Sequence, residues 1–417
     1  NLTRFSLFLP EKREFFLENQ GVFRIGDIDQ SSGLRSPIIP FFSRRIGLSP
    51  TGQPVPILGG GRLSGHVGSW GVGLINLQSD AESGDNFSAM RVTRHMSRLG
   101  SYSAFYFGRE SDGPDSFNRV FGGDIHLSPL RTLDVDLFVL RSSSAIEGYG
   151  TAGRGSINLL ERGYTGHLSY THLGETFRND LGFIPRENVN LMSWQFQRHL
   201  RPEAGRRAVL TYTAGAEGDV YWSASTKDLE TRTVKALGEI EFADGGIVQA
   251  SATLARENLF DAFTVGGLTV HPGDYAFTQA NLNYQSNKSG ALSGNIGLTR
   301  GGYWSGDLST VDYGVRARLS KYLALAATGS RSTIAFVGGV SRVGLVRLRV
   351  DSSFSTRMFL NAFAQYSSDT HTWTSNVRFR FTYRPLSDLY VVYSSLDQRD
   401  GRPVRSVAIK STILVNF

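Results

Sequence analysis

Asn376-Val377-Arg378-Phe379-Arg380-Phe381-Thr382-Tyr383 is the stretch that decides the fold. Val377, Phe379, Phe381 and Tyr383 alternate with Asn376, Arg378, Arg380 and Thr382. A period of two puts the two sets on opposite faces of a sheet. The same alternation recurs elsewhere. Leu133, Val135, Leu137 and Val139 interleave with Asp134 and Asp136, and Val311, Tyr313, Val315, Ala317 and Leu319 with Asp312, Arg316 and Arg318. In the last stretch Val407, Ile409, Ile413, Val415 and Phe417 oppose Lys410, Thr412 and Asn416. From about Pro56 onward such segments run about 10–13 residues, longer than ordinary globular strands and matched to tilted membrane strands.

Composition agrees. The chain has 417 residues with 40% hydrophobic, 12% aromatic and 19% charged residues, 47 Gly and no Cys. That aromatic content excludes a disordered chain. The missing cysteines exclude a disulfide scaffold and thiolate metal sites. No apolar run approaches the ~18–20 residues of a membrane-spanning helix. The net charge is +7, yet no Lys/Arg run exceeds two residues, so no nucleic-acid partner is expected. The chain opens at Asn1 without a charged-then-apolar leader and reads as a processed or trimmed product.

The connections predict the topology. Gly68-Ser69, Ala243 to Gly246, Ser286 to Ser289, Ser320-Lys321, Ser353 to Thr356 and Pro385 to Asp388 are short. Between them fall longer ones: Gly174 to Asn188, Trp222 to Thr231, Asn258 to Gly273, Gly301 to Leu308, Ser367 to Thr372 and Asp397 to Pro403. Short turns alternating with long loops mark an outer-membrane barrel. The expected fold is all-β: a single transmembrane antiparallel β-barrel, a meander of about 22 strands, because roughly 21 strands follow Pro56 and bacterial barrels use even numbers. Residues 56–417 form the barrel in this reading. Residues 1–55 lack a sustained period and supply a plug-like segment partly inside the lumen, with one further strand. The spacing of approximately 17 residues is strand plus turn, not a solenoid module.

The two faces set the candidate sites. Outward Val, Ile, Leu, Phe and Tyr suit lipid, and Tyr and Trp near strand ends suit interfacial girdles. Lipid and lipopolysaccharide of the outer membrane are therefore expected partners. The inward face carries Arg316/Arg318, Arg347/Arg349 and Arg378/Arg380, a basic band favouring anionic solutes. The alternative is a lumen in which these arginines pair with acids such as Asp312 and Asp351. Arg13, Arg44, Arg45 and Arg186 are the plug and constriction candidates. Ile413, Val415 and Phe417 resemble a C-terminal insertion signal read by the barrel-insertion machinery.

Catalysis has little support. The eight histidines, His66 to His371, show no metal-ligand spacing. No G-x-S-x-G or H-E-x-x-H motif occurs. No cofactor is expected. A hydrolase built from scattered Ser, His and Asp at strand ends is the enzymatic alternative.

The opening Asn1-Leu2-Thr3-Arg4-Phe5-Ser6-Leu7-Phe8-Leu9-Pro10-Glu11-Lys12-Arg13-Glu14-Phe15-Phe16-Leu17-Glu18 resembles that of an uncharacterised bacterial outer-membrane barrel domain family. Phe42-Ser43-Arg44-Arg45-Ile46-Gly47 and Val55 to Gly65 add to the likeness. So do Gly182-Phe183-Ile184-Pro185-Arg186, and Tyr383-Arg384-Pro385 with Asp388 to Tyr393. Members usually carry this domain downstream of a family-nine-type carbohydrate-binding module. The resemblance implies a Gram-negative envelope protein, a periplasmic carbohydrate-binding module as partner and a link to glycans. It implies no catalytic residues. The chain begins where that module would hand over, so a sugar-binding label belongs to the module rather than to these residues.

Overall fold

In the computed structural model the described residues are 5–6, 8–27, 38–49, 52–81, 84–97, 99–202, 208–336, 338–385, 387–399 and 401–413. The first strands are β1 (Ile57–Val67), β2 (Trp70–Ser79), β3 (Asn86–Met96), β4 (Gly100–Glu110), β5 (Phe117–Leu130), β6 (Leu133–Ser144), β7 (Gly148–Leu160) and β8 (Tyr164–Leu173). Next come β9 (Val189–Leu200), β10 (Val209–Ser223), β11 (Leu229–Phe242), β12 (Ile247–Leu259), the short β13 (Phe263–Val265) and β14 (Leu268–Val270), and β15 (Gly273–Gln285). The last are β16 (Leu292–Tyr303), β17 (Gly306–Arg318), β18 (Leu323–Phe336), β19 (Gly339–Ser353), β20 (Met358–Ser367), β21 (Thr372–Arg384), β22 (Ser387–Gln398) and β23 (Val404–Ser411).

All but β13 and β14 belong to one 21-stranded sheet. Consecutive strands pair antiparallel, as β2 does with β3 and β18 with β19. The sheet strands are 8 to 15 residues long. This is the long-stranded meander that the period-two pattern demands, with its first strand at Ile57. The chain divides into two compact units, Thr3–Arg198 with Ala216–Val234 and His199–Gly215 with Lys235–Phe417.

Each unit has one exposed apolar face. In the first unit Leu74, Met90, Phe121, Ile125, Leu137, Val139 and Ile157 point outward. In the second, Leu282, Ile296, Leu298, Tyr313, Val315 and Leu348 do. Unpaired backbone groups cannot survive in hydrocarbon, so a paired sheet with an apolar outside is what a bilayer accepts. We call this the lipid face and its opposite the inner face.

Three expectations need correction. Several connections expected to be long are tight, because the strands run on into them. β16 extends to Tyr303 and β17 begins at Gly306. Trp304 makes that turn at φ 50. The strand expected within residues 1–55 is absent among the described residues. That segment instead forms a short helix, Glu14–Leu17, and two 3₁₀ turns, Gln20–Phe23 and Ser43–Arg45. Finally, the connection Asn258 to Gly273 is not plain loop but holds the β13–β14 hairpin, paired through Phe263–Val270 and Thr264–Thr269.

The face assignment has a direct check. Leu348 is 53% exposed on the lipid face, next to inner-face Arg347 and Arg349. Leu348→Arg should destabilise the protein by about 2–4 kcal/mol at the bilayer midplane. Denaturant titration in lipid vesicles reads this, and a neutral result would remove that face from lipid.

Candidate functional site

The first unit fills its inner face with the N-terminal segment. Phe16, Phe23, Ile25, Ile39, Phe41 and Phe42 pack against Ile75, Leu77, Phe87, Phe105, Phe107 and Phe138, all buried. Each such side chain contributes about 1.5–3 kcal/mol of burial. Aromatic stacking continues the contact, with Phe23 and Phe41 centred 4.9 Å apart and Phe41 and Phe107 5.3 Å apart.

Ion pairs fix the register of this packing. Arg91 of β3 pairs with Asp124 of β5 at 2.7 Å and also donates to the carbonyls of Val22 and Arg24. Arg154 of β7 pairs with Asp27 of the segment at 3.0 Å. Burial pushes the Asp27 carboxyl up, but the Arg154 guanidinium more than offsets it and holds it below the usual range. Withdrawing the segment would break this buried pair.

The Gly174 to Asn188 connection folds onto the same segment. Ile39 and Phe183 form a bridge, and Asn179 donates to the Pro40 carbonyl at 2.8 Å. Arg178 pairs with Asp115 at 2.6 Å, and Arg109 with Asp180 at 2.7 Å.

The four plug and constriction arginines are fasteners here. Arg13 donates to the carbonyls of Ser43 and Ile46, both at 2.7 Å, and pairs with Glu11 at 2.7 Å. Arg44 donates to the Pro10 carbonyl at 3.0 Å and Arg45 to the Gly182 carbonyl at 3.3 Å. Arg186 sits between the rings of Phe5 and Tyr221, 3.9 Å from each centroid. Arg62 of β1 pairs with Glu18 at 2.7 Å. Four stretches that carry the family resemblance thus meet in one place: the opening, Phe42 to Gly47, Val55 to Gly65 and Gly182 to Arg186.

Beneath the segment lies a polar chamber of about 600 Å³ whose lining includes Arg24, His66, His95, His126, Asp134 and Asp136. His126 Nδ1 lies 2.9 Å from Asp136, and its Nε2 lies 3.2 Å from Ser128 Oγ. This has the outline of a nucleophile, base and orienter. Its chemistry fails in two respects. The Ser128 hydroxyl donates at 2.6 Å to Asp134 rather than to His126, and the Ser128 N–H, one donor that could serve an oxyanion, is spent on the Leu99 carbonyl. Among the described residues no group of three His, Asp or Glu side chains is placed to hold a metal ion.

The second unit has a different inner face. Register places Arg316 opposite Ala326, Ala326 opposite Arg349 and Arg349 opposite Phe363. One row on, Arg318, Ala324, Asp351, Asn361 and Arg378 follow across the sheet. Arg347 and Arg380 flank these rows on the same face. All six band arginines therefore share one face within a few rows. Among the described residues only Arg349 has a carboxylate partner, Asp351 at 2.9 Å. Arg347 donates to Gln365 at 2.7 Å, Arg318 to the Ser289 carbonyl at 2.9 Å, and Arg380 lies 4.4 Å over Phe359. The band keeps its positive charge.

The β13–β14 hairpin folds onto this inner face near the ends of β16 to β19. Val265 and Val270 are buried against Tyr303, Trp304, Leu308 and Ile334. The sequence signal was present: Phe263-Thr264-Val265-Gly266-Gly267-Leu268-Thr269-Val270 is a glycine turn between two β-branched runs. Of the C-terminal signal, Ile413 is exposed, whereas Val415 and Phe417 lie outside the described residues.

No family model matches the sequence, and no curated protein resembles it significantly. Solved structures do resemble it. The siderophore receptor PirA from Pseudomonas aeruginosa aligns with TM-score 0.55 and 10% identity over 82% of this chain and 72% of its own. The ferric enterobactin receptor PfeA from the same organism gives 0.54 and 9% over 83% and 72%. The fold is that of bacterial outer-membrane β-barrels, and the exposed apolar face is the lipid-facing surface of one.

Two measurements test the fastening of the segment. A side chain at Gly73 of β2 would place its Cβ 2.5 Å from Val22 and 2.9 Å from Phe23. Gly73→Leu should expel the segment, opening residues 8–27 to limited proteolysis while the barrel stays heat-modifiable on gels. The Glu11 carboxyl is raised by burial but held down to about 2 by Arg13 and Ser43. Its folded value lies below the ordinary 4.5, so its contribution is complete above 4.5 and lost as pH falls toward 2. Protection of the segment should decline across that window, and Glu11→Gln should reduce the dependence to the part that Asp27 contributes.

Proposed function

We propose that this chain is an outer-membrane barrel that admits small anionic solutes, glycan-derived ones among them, along the basic inner face of its second unit. The carrying observation is the contrast between two sets of inner arginines. In the first unit Arg91, Arg109, Arg154 and Arg178 are each matched by aspartates. In the second, five of the six band arginines lack a carboxylate partner among the described residues, only Arg349 having one. Those four arginines are neutralised. Arginines left unmatched on a wetted inner face attract anions.

The chamber supports a hydroxyl-rich solute. Asp134, Asp136, His126 and Asn158 offer fixed donors and acceptors. A periplasmic carbohydrate-binding module delivering or receiving such a solute completes this reading. The fastened N-terminal segment favours a second reading, a barrel that anchors a partner and passes nothing.

Planar-bilayer recording separates the two. The purified chain should conduct steadily and lean toward anions, and changing Arg347, Arg349, Arg378 and Arg380 to Gln should shift the reversal potential toward cations. An unchanged potential ends the basic-band reading. Silence from a heat-modifiable barrel supports the anchor.

A further inference from the structure

The lipid face of the second unit carries three arginines where an apolar surface would be expected. Register aligns Arg300 of β16, Ser309 of β17, Thr333 of β18 and Arg342 of β19 in one row. The next row holds Leu298, Val311, Arg331 and Gly344. Leu298 and Val311 are exposed apolar residues, which fixes the face. Arg300, Arg331 and Arg342 are themselves exposed. No ion pair joins any of them to a carboxylate among the described residues.

The row below is Ile296, Tyr313, Gly329, Val346, Tyr366 and Trp373. Tyr366 and Trp373 pack with centroids 5.1 Å apart. The arginines lie close to the strand ends: Arg300 is three residues before the end of β16, Arg342 three after the start of β19 and Arg331 five before the end of β18. Tyr and Trp near strand ends mark the passage from hydrocarbon to headgroups. Arg331 and Arg342 are diagonal neighbours, about 7–8 Å apart at Cα, and their side chains can close on one phosphate. Arg300 lies two strands from Arg331.

One nearby acid, Asp307, is exposed on the same face and diagonal to Arg300, so it offsets part of that charge. Asp274 is paired with Arg256. Asp307 lies one row nearer the turns, and Asp397 lies on β22, three strands from Arg342. The cluster sits at the strand ends shared with the long β12–β15 connection, and long connections mark the outer surface. The lipid of that leaflet is lipopolysaccharide, whose lipid A headgroup carries two phosphates.

We infer that Arg300, Arg331 and Arg342 form a binding site for the phosphorylated headgroup of lipid A on the outside of the barrel. This surface is separate from the inner arginine band, and the site stands whether or not the barrel conducts.

The test is native mass spectrometry of the full chain in detergent, titrated with bis-phosphorylated lipid A, fully dephosphorylated lipid A or phosphatidylglycerol. Wild type should retain bis-phosphorylated lipid A and release the other two. The triple variant R300Q/R331Q/R342Q should bind it on the order of 100-fold more weakly. Undiminished binding by the triple variant overturns the site, as does equal retention of phosphatidylglycerol. If the triple variant fails to show heat-modifiable folding, Arg331→Gln alone decides, with a loss of about tenfold expected and no loss overturning the proposal.

Discussion

A backbone that crosses hydrocarbon must pair every N–H and carbonyl with a neighbour, because no water is there to accept the remainder. That requirement fixes the rest of this molecule. It makes the strands long and keeps them in register, with local irregularities where β1 meets β2, β5 meets β6 and β21 meets β22. That register assigns each residue to one of two faces, and a slip of one residue would exchange them. Arg347 and Leu348 are covalent neighbours, yet one faces inward and the other faces lipid.

The inner surface is then free to differ from place to place. In the first unit one part is packed with phenylalanines, beside it lies the polar chamber, and Arg91, Arg109, Arg154 and Arg178 are matched by aspartates. Such pairs confer position more than stability, since replacing a buried pair with apolar groups is often neutral. In the second unit the same chemical group, the guanidinium, faces neutral amides, a backbone carbonyl or a ring. The difference lies in the partners, not in the residue type.

The fold was legible because period two survives almost any substitution that respects the two faces. The stretch Asn376 to Thr382 is enough to show it, and the register of β21 against β20 and β22 follows the same alternation until it shifts between Thr382 and Arg384. The placement of the six band arginines was legible for the same reason. The pairing of Arg154 with Asp27 was not, because 127 residues separate them and no local pattern links them. Nor was the fastening role of Arg13, Arg44, Arg45 and Arg186, which depends on backbone carbonyls and rings brought close only by folding. The turn at Trp304 was misread because tryptophan at positive φ is unusual, and burial against Phe263 and Tyr303 compensates for it. The lipid-face arginines escaped notice because Arg300, Arg331 and Arg342 stand on three different strands, and only the ladder aligns them.

The β13–β14 hairpin and the N-terminal segment both cover inner surface, but they are tethered differently. The hairpin is held at both ends, by β12 and β15. The segment runs into the sheet through residue 56, which leads into β1. Under mechanical load this is the difference between shearing and peeling. A pull on the segment from its N-terminal side would load its attachments one at a time, first Arg186 on Phe5, then Glu11 with Arg13, then Arg62, and Asp27 later. A force reaches the hairpin through two sheet strands at once, so its contacts would share it and yield together. The two coverings therefore differ in strength by geometry, whatever their chemistry.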